Sequence, residues 1–325
     1  MCTCFRHCLS CVLAFSKLKW RNNYRKAISV ISKTPLNIPF ALCIGPQRAG
    51  TTWIYRYLAS RGDVCLPEDV KEIFYFDRNF DRGEDFYLDH FQPTEDHKIA
   101  MEVTATSFDH PEAPKRVFDM FGKDIRLVCP LRHPVVRAYS LYLHYLRYGI
   151  ATGTLQEAVK QVPQILTSCH YEEHLKRWYE FFDPQNISFI YQEELEINQF
   201  EFVRHLCNGF SIPFVEPEED VQGKYNITTY SKFGPMARIA QHIADWLREH
   251  RLYFVINFAK DIGLKRVIFG KERPDANKKN IPLDDKIWLF EQVGGEVEKF
   301  EKLIGEVVPH WHEIEKNKNN ETNSF

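Results

Sequence analysis

The sequence predicts an α/β domain in which a central parallel sheet is flanked by helices. Short continuous apolar runs at 40–44, 99–103, 125–131 and 187–191 have the length and composition of buried strands. Helix-forming stretches separate them, at about 51–60, 113–121, 134–148 and 171–181. Strands that alternate with helices imply parallel pairing, because each crossover returns the chain to the same edge, and both faces of such a sheet become covered.

Bulk properties fit one such domain. The 325 residues are 44% hydrophobic and 26% charged, which excludes wholesale disorder, collagen-like repeats and a heptad rod. A net charge of −2 excludes a generally basic nucleic-acid binder. That balance hides an asymmetry, since no Asp or Glu precedes Asp63 whereas ten Lys and Arg do. Residues 1–37 are expected to form a basic, flexible, cysteine-containing leader. The folded domain is expected over 38–312 and a disordered polar tail over 313–325, with Pro35 and Pro39 marking the first boundary.

The longest apolar run of the leader, Cys8–Phe15, is interrupted by Ser10 and falls far short of the ~20 residues that span a bilayer. No small-residue cleavage pattern of a secretory signal follows it. The expectation is therefore a cytoplasmic protein without a transmembrane helix, its basic leader suited to peripheral contact with an anionic membrane surface. Cys2, Cys4, Cys8 and Cys11 do not follow a usual zinc spacing, and three readings stand side by side: an unmodified leader, S-acylation and a metal site. Of the nine cysteines, Cys43, Cys65, Cys129, Cys169 and Cys207 fall in or near apolar segments, where reduced thiols act as small core residues.

Along the chain, the first apolar run leads into Gly45-Pro46-Gln47-Arg48-Ala49-Gly50 and then a helix from Thr51. A glycine-flanked turn into a helix presents backbone N–H groups and the positive end of the helix dipole to an anion, and Arg48 adds charge. The Walker arrangement needs Lys-Ser/Thr after its last glycine, whereas here Thr51-Thr52 follows Gly50 and the cation lies two positions before it. An ordinary nucleoside triphosphatase is disfavoured, and the run at 125–131 ends in Arg132 rather than a magnesium-binding Asp. Taken alone, the loop also fits an ordinary strand-to-helix turn.

The second informative segment, Arg132-His133-Pro134-Val135-Val136-Arg137-Ala138-Tyr139-Ser140, leaves a strand and enters a helix, with Pro134 suited to the first turn. Arg137 and Ser140 are three residues apart and share a helix face. In a parallel sheet this segment and the glycine-flanked loop both emerge at the carboxyl edge, so the two face one crevice. By itself the segment equally describes a solvated helix start with surface arginines.

Taken together, the two segments resemble the sulfotransferases that use 3′-phosphoadenosine-5′-phosphosulfate (PAPS). Pro46–Trp53 is similar to their 5′-phosphosulfate loop, and Arg132 with Ser140 to the pair that holds the 3′-phosphate. Lys71-Glu72-Ile73-Phe74-Tyr75-Phe76-Asp77 and the stretch Glu102–Pro114 narrow the resemblance to heparan sulfate N- and 3-O-sulfotransferase-type domains, over about 38–312.

The resemblance implies a P-loop-like sulfotransferase fold and transfer of a sulfuryl group from PAPS, without a metal, to a hydroxyl or amine of a carbohydrate or glycoconjugate. It assigns Gln47, Arg48, Ala49, Gly50, Thr51, Thr52, Trp53, Arg132 and Ser140 to the nucleotide. Glu72 becomes the general base, with Arg48 and Lys71 as the other catalytic groups, and Glu102 and Thr104 are expected to border the acceptor cleft. Two positions depart from the pattern. Arg48 replaces the usual lysine with a larger, directional and permanently charged group, and Val103 stands where a lysine is common. A nucleotide-dependent phosphotransferase requiring Mg²⁺ and a noncatalytic PAPS-binding pseudoenzyme are the rival readings. Trp53 reads equally as an adenine platform or a core residue. Most aromatic residues between Phe74 and Phe91 read as core, and His97, His110, His133 and His144 as packing or surface histidines.

Overall fold

In the computed structural model, described over residues 36–222, 243, 247 and 281–322, strand β1 (Phe40–Cys43) leads through α1 (Thr51–Ala59) to a two-residue β2 (Val64–Cys65). After α2 (Gly83–Leu88) come β3 (Ile99–Val103), α3 (Ala113–Phe121) and β4 (Arg126–Leu131). Four helices follow, α4 (Pro134–Arg147), α5 (Leu155–Gln161), α6 (Gln164–Thr167) and α7 (Tyr171–Tyr179), and then β5 (Ile187–Tyr191). Helices α8 (Gln192–Ile197), α9 (Gln199–Phe210) and α10 (Glu219–Gln222) precede the C-terminal α11 (Leu283–Val293), α12 (Glu296–Ile304) and α13 (Pro309–Thr322).

The strands form one parallel sheet in the order β2-β3-β1-β4-β5. Its covering helices explain the continuous apolar runs, because alternate residues of each strand enter different cores. Phe40 and Leu42 pack with α3, α7, α12 and Trp311, whereas Ala41 and Cys43 pack with α1 and α9. A third cluster joins α4, α5 and α6 to α11 through Val135, Leu143, Leu155, Ile165, Leu289 and Phe290. The five cysteines expected in the core are buried and free.

Three details differ from the sequence expectations. Strand β2 is too short to leave a periodic signature and was not expected. Val293, Val297, Phe300 and Ile304 share a helical spacing, yet Val293 ends α11 and the others belong to α12, because Gly294-Gly295 interrupts the helix. Helix α13 runs through most of the polar stretch expected to be disordered. The leader with its four cysteines lies outside the described residues, as does most of the stretch 223–280, in which Ile239, Ile243, Trp246 and Leu247 recur at helical spacing in the sequence. Among the described residues, no helix is long and apolar enough to cross a membrane.

Candidate active site

The central position of β1, between β3 and β4, brings three loops to one carboxyl edge. The loop after β1 starts at Gly45, whose φ of 84° is left-handed, and a Cβ there would stand 2.8 Å from the Ala105 carbonyl carbon. Only glycine fits this conformation so close to the segment after β3. Gly50 closes the loop as the N-cap of α1 with φ 88°. No side chain caps α1 and no acidic residue occupies its first turn, so its positive end is not neutralised within the helix itself.

Arg48 Nε donates to Ser140 Oγ at 3.0 Å, which ties the loop after β1 to the helix after β4 across 92 residues of chain. The guanidinium pKa is brought down to about 10, first by burial and next by Arg132, with Arg147 and Arg137 acting in the same direction. Arg48 therefore remains charged at neutral pH in a neighbourhood of cations. His144, one turn beyond Ser140, is held neutral for the same reasons: burial, Arg48 and Arg147 push its pKa down to about 3.

Arg132 follows β4 and lies 3.8 Å from Glu196. Its carbonyl accepts the Tyr171 hydroxyl at 2.7 Å, and the next amide, His133 N–H, donates to Glu193 at 2.9 Å. The same Glu193 carboxylate accepts the Trp311 indole N–H at 3.2 Å, so α13 braces the segment. Arg137, one of the residues that also read as a surface arginine, is 1% exposed. It donates from Nε to the Gln47 carbonyl at 2.8 Å and from Nη1 to Ser168 Oγ at 3.0 Å and Cys169 Sγ at 3.2 Å. This role in holding the loop is invisible in the sequence, where only its shared helix face with Ser140 is legible.

Lys71 and Glu72 are ion-paired with each other and partly exposed. They reach the same edge, since Lys71, Glu72 and Glu102 all act on the Cys43 thiol at the end of β1, whose pKa burial pushes up to about 12. The Ile73 N–H donates to Glu102 Oε1 at 3.0 Å, which lays the segment over the end of β3. Beyond β3, Thr104 N–H donates to the Cys43 carbonyl at 2.9 Å and Thr106 Oγ1 to Asp77 Oδ2 at 2.6 Å. Among the described residues, the second, buried oxygen of Asp77 has no hydrogen-bond partner.

Several residues prove to be packing groups. Trp53 is 5% exposed, stacks on Tyr57, meets Phe202 edge-on and donates its indole N–H to the Val221 carbonyl at 2.9 Å. Tyr75, Phe76, Phe86, Tyr87 and Phe91 are core residues, while Phe74 and Phe80 carry Arg78 and Arg116 over their rings. Val103 is fully buried, so the position where lysine is common faces the core in this chain. His133 is enclosed by Phe290 and Trp311, and burial holds its pKa down to about 3.

The family model for the sulfotransferase domain matches residues 40–251. A bifunctional heparan sulfate N-deacetylase/N-sulfotransferase 1 of Caenorhabditis elegans is 26% identical over 222 residues, covering 63% of this chain and 24% of the relative. Its Xenopus laevis counterpart is 32% identical over 178 residues, or 48% of this chain and 20% of the relative. The aligned region thus spans about a quarter or less of each relative's length. A crystal structure of a sulfotransferase from Alicyclobacillus acidocaldarius superposes with a TM-score of 0.58 at 18% identity, covering 85% of this chain and 98% of the other. With a parallel sheet of this fold, a glycine-flanked loop at its carboxyl edge and a family match over most of the described domain, the chain belongs to the sulfotransferase domain family.

Proposed function

We propose that the chain transfers a sulfuryl group from PAPS to a hydroxyl or amine of a glycan or glycoconjugate. The observation that carries this reading is the Arg48–Ser140 hydrogen bond, which joins the 5′-phosphosulfate-type loop to the 3′-phosphate-type segment in one cationic crevice. A doubly phosphorylated nucleotide suits such a crevice: the uncapped start of α1 and the loop amides face the 5′ end, and Arg132 with Ser140 takes the 3′-phosphate. The names of the heparan sulfate relatives support a glycan acceptor.

In the proposed reaction the acceptor oxygen or nitrogen bonds to sulfur as the bond from sulfur to the bridging phosphate oxygen breaks, and 3′,5′-ADP leaves. Glu72 takes the acceptor proton, a role worth typically ~10² to 10⁴ in rate. Arg48 and the loop N–H groups stabilise charge on the bridging oxygen, where the loss of one such donor commonly costs ~10² to 10³. Lys71, paired with Glu72, balances charge on the sulfuryl oxygens.

The test is calorimetric titration with 3′,5′-ADP, 5′-AMP and Mg-ATP, followed by an acceptor screen with labelled PAPS. Binding that requires the 3′-phosphate, with label appearing in a glycan, is the expected result. Preference for Mg-ATP would establish the phosphotransferase reading instead. Nucleotide binding without transfer to any acceptor would establish a pseudoenzyme.

A further inference from the structure

The segment that carries Glu72 belongs to no helix or strand, and its backbone passes through left-handed conformations at Asp69 (φ 62°) and Phe74 (φ 55°). Such a segment does not fix its own geometry, yet a general base has to reach its proton within about 2.6–3.2 Å. The constraint comes from two side chains that grip the next peptide unit. Ile73 N–H donates to Glu102 Oε1 at 3.0 Å, and the Ile73 carbonyl accepts from Asn79 Nδ2 at 2.9 Å. The Phe74 carbonyl accepts the Arg78 and Asn79 N–H groups, both at 3.0 Å, which closes the turn.

Glu102 is an expensive residue to place there. It is 0% exposed on the central part of the sheet, paired in register with Leu42, with the buried Tyr87 hydroxyl as its other polar neighbour. Burial brings its carboxyl pKa up to about 7 against the Ile73 N–H and the Tyr87 hydroxyl, which hold it down, and Glu72 and Asp77 add to the rise. Packing alone is better served by an apolar side chain, because burying a carboxyl costs desolvation that an apolar group does not incur. Its burial also keeps it from touching an acceptor. What Glu102 does supply is a rigid acceptor, mounted on β3, for the amide that follows Glu72.

We propose that Glu102 is a positioning residue for Glu72, holding the Ile73 peptide so that the base is presented to the acceptor at a fixed place on the carboxyl edge of the sheet. Asn79 completes the grip from the other end of the same residue. The proposal rests on the reading of Glu72 as the base.

The test compares Glu102→Gln, Glu102→Ala and Asn79→Ala in the full chain. Glutamine retains an oxygen that accepts the Ile73 N–H, whereas alanine does not. Glu102→Gln is expected to keep kcat within about 3-fold and to leave hydrogen exchange at 71–75 slow, as in the wild type. Glu102→Ala and Asn79→Ala are expected to lower kcat about 10- to 100-fold, because a displacement of about 1 Å carries a cost of that order. Exchange at 71–75 accelerates in both, while affinity for 3′,5′-ADP stays within about 2-fold. An unchanged kcat in both alanine variants, an equal loss in Glu102→Gln, or a parallel loss of 3′,5′-ADP affinity overturns the proposal. If Glu102→Ala does not fold, Asn79→Ala decides, since it releases the same residue from a half-buried position. A wild type that transfers nothing, or whose turnover ignores Glu72→Gln, overturns the base assignment and the positioning role together. Dependence on Glu72 without dependence on Glu102 or Asn79 overturns the positioning role alone.

Discussion

In the proposed site Arg48 and Arg132 divide the work of anion recognition by position. Arg48 sits within the loop and bonds to Ser140, whereas Arg132 stands at the end of β4, 3.8 Å from Glu196 and within electrostatic reach of Glu193. Arg132→Ala is therefore expected to weaken 3′,5′-ADP binding at least ~10-fold while leaving 5′-AMP nearly unaffected, since a charge-assisted hydrogen bond contributes about 1.5–3 kcal/mol. Calorimetry with the two nucleotides checks this, and equal losses would remove the 3′-phosphate assignment. Glu72→Gln keeps the shape of the side chain and removes its basicity. Turnover is expected to fall by at least ~10² with nucleotide affinity intact, measured as label transfer from PAPS under saturating donor.

At the scale of elements, the loop between β1 and α1 depends on its close approach to the segment after β3. In Gly45→Ala the new methyl group meets the Ala105 carbonyl at 2.8–2.9 Å, and the left-handed backbone is strained as well. Left-handed geometry alone costs a non-glycine residue roughly 1–2 kcal/mol, so a total loss of about 2 kcal/mol or more is expected, read from the urea midpoint. Affinity for 3′,5′-ADP should fall with it, because displacing the loop moves Arg48 from Ser140. Arg137 acts at the same scale: one buried guanidinium holds the Gln47 carbonyl to the α6–α7 connection. Such a hub needs the fork geometry of arginine, which a lysine ammonium does not reproduce.

For the molecule as a whole, burial of ionisable groups ties stability to pH. His133 charges only near pH 3 in the fold but near 6.5 in an unfolded chain. It contributes stability that is present above about pH 6.5 and lost as pH falls toward 3. Glu102 has the opposite sign: with its folded pKa raised to about 7, its contribution is present below about 4.5 and lost as pH rises through 7. His133→Phe keeps a ring between Phe290 and Trp311 and removes the titration. Between pH 7.5 and 4.5 the wild type is expected to lose roughly 2 kcal/mol more stability than this variant. Denaturant midpoints at the two pH values test it, and parallel losses would show that His133 is not held neutral.

Much of the architecture was legible in the sequence because its physical signals are local. Four apolar runs and the helices between them predict a parallel sheet, and they correspond to β1, β3, β4 and β5. Gly45, Arg48, Gly50, Arg132 and Ser140 were recognisable because an anion loop needs glycine conformations and fixed charges at short spacing. Glu102, Asn79 and Arg137 carried no such signal, since each acts through a backbone group far away in sequence or hidden in a turn. Local patterning was enough to find four of the five strands and the helices between them, and to bring Arg48, Arg132 and Ser140 to the carboxyl edge. Which of those side chains reach one another is set by the assembled sheet, because the Arg48–Ser140 bond, the Arg137 hub and the grip on Ile73 exist only after β1 is seated between β3 and β4.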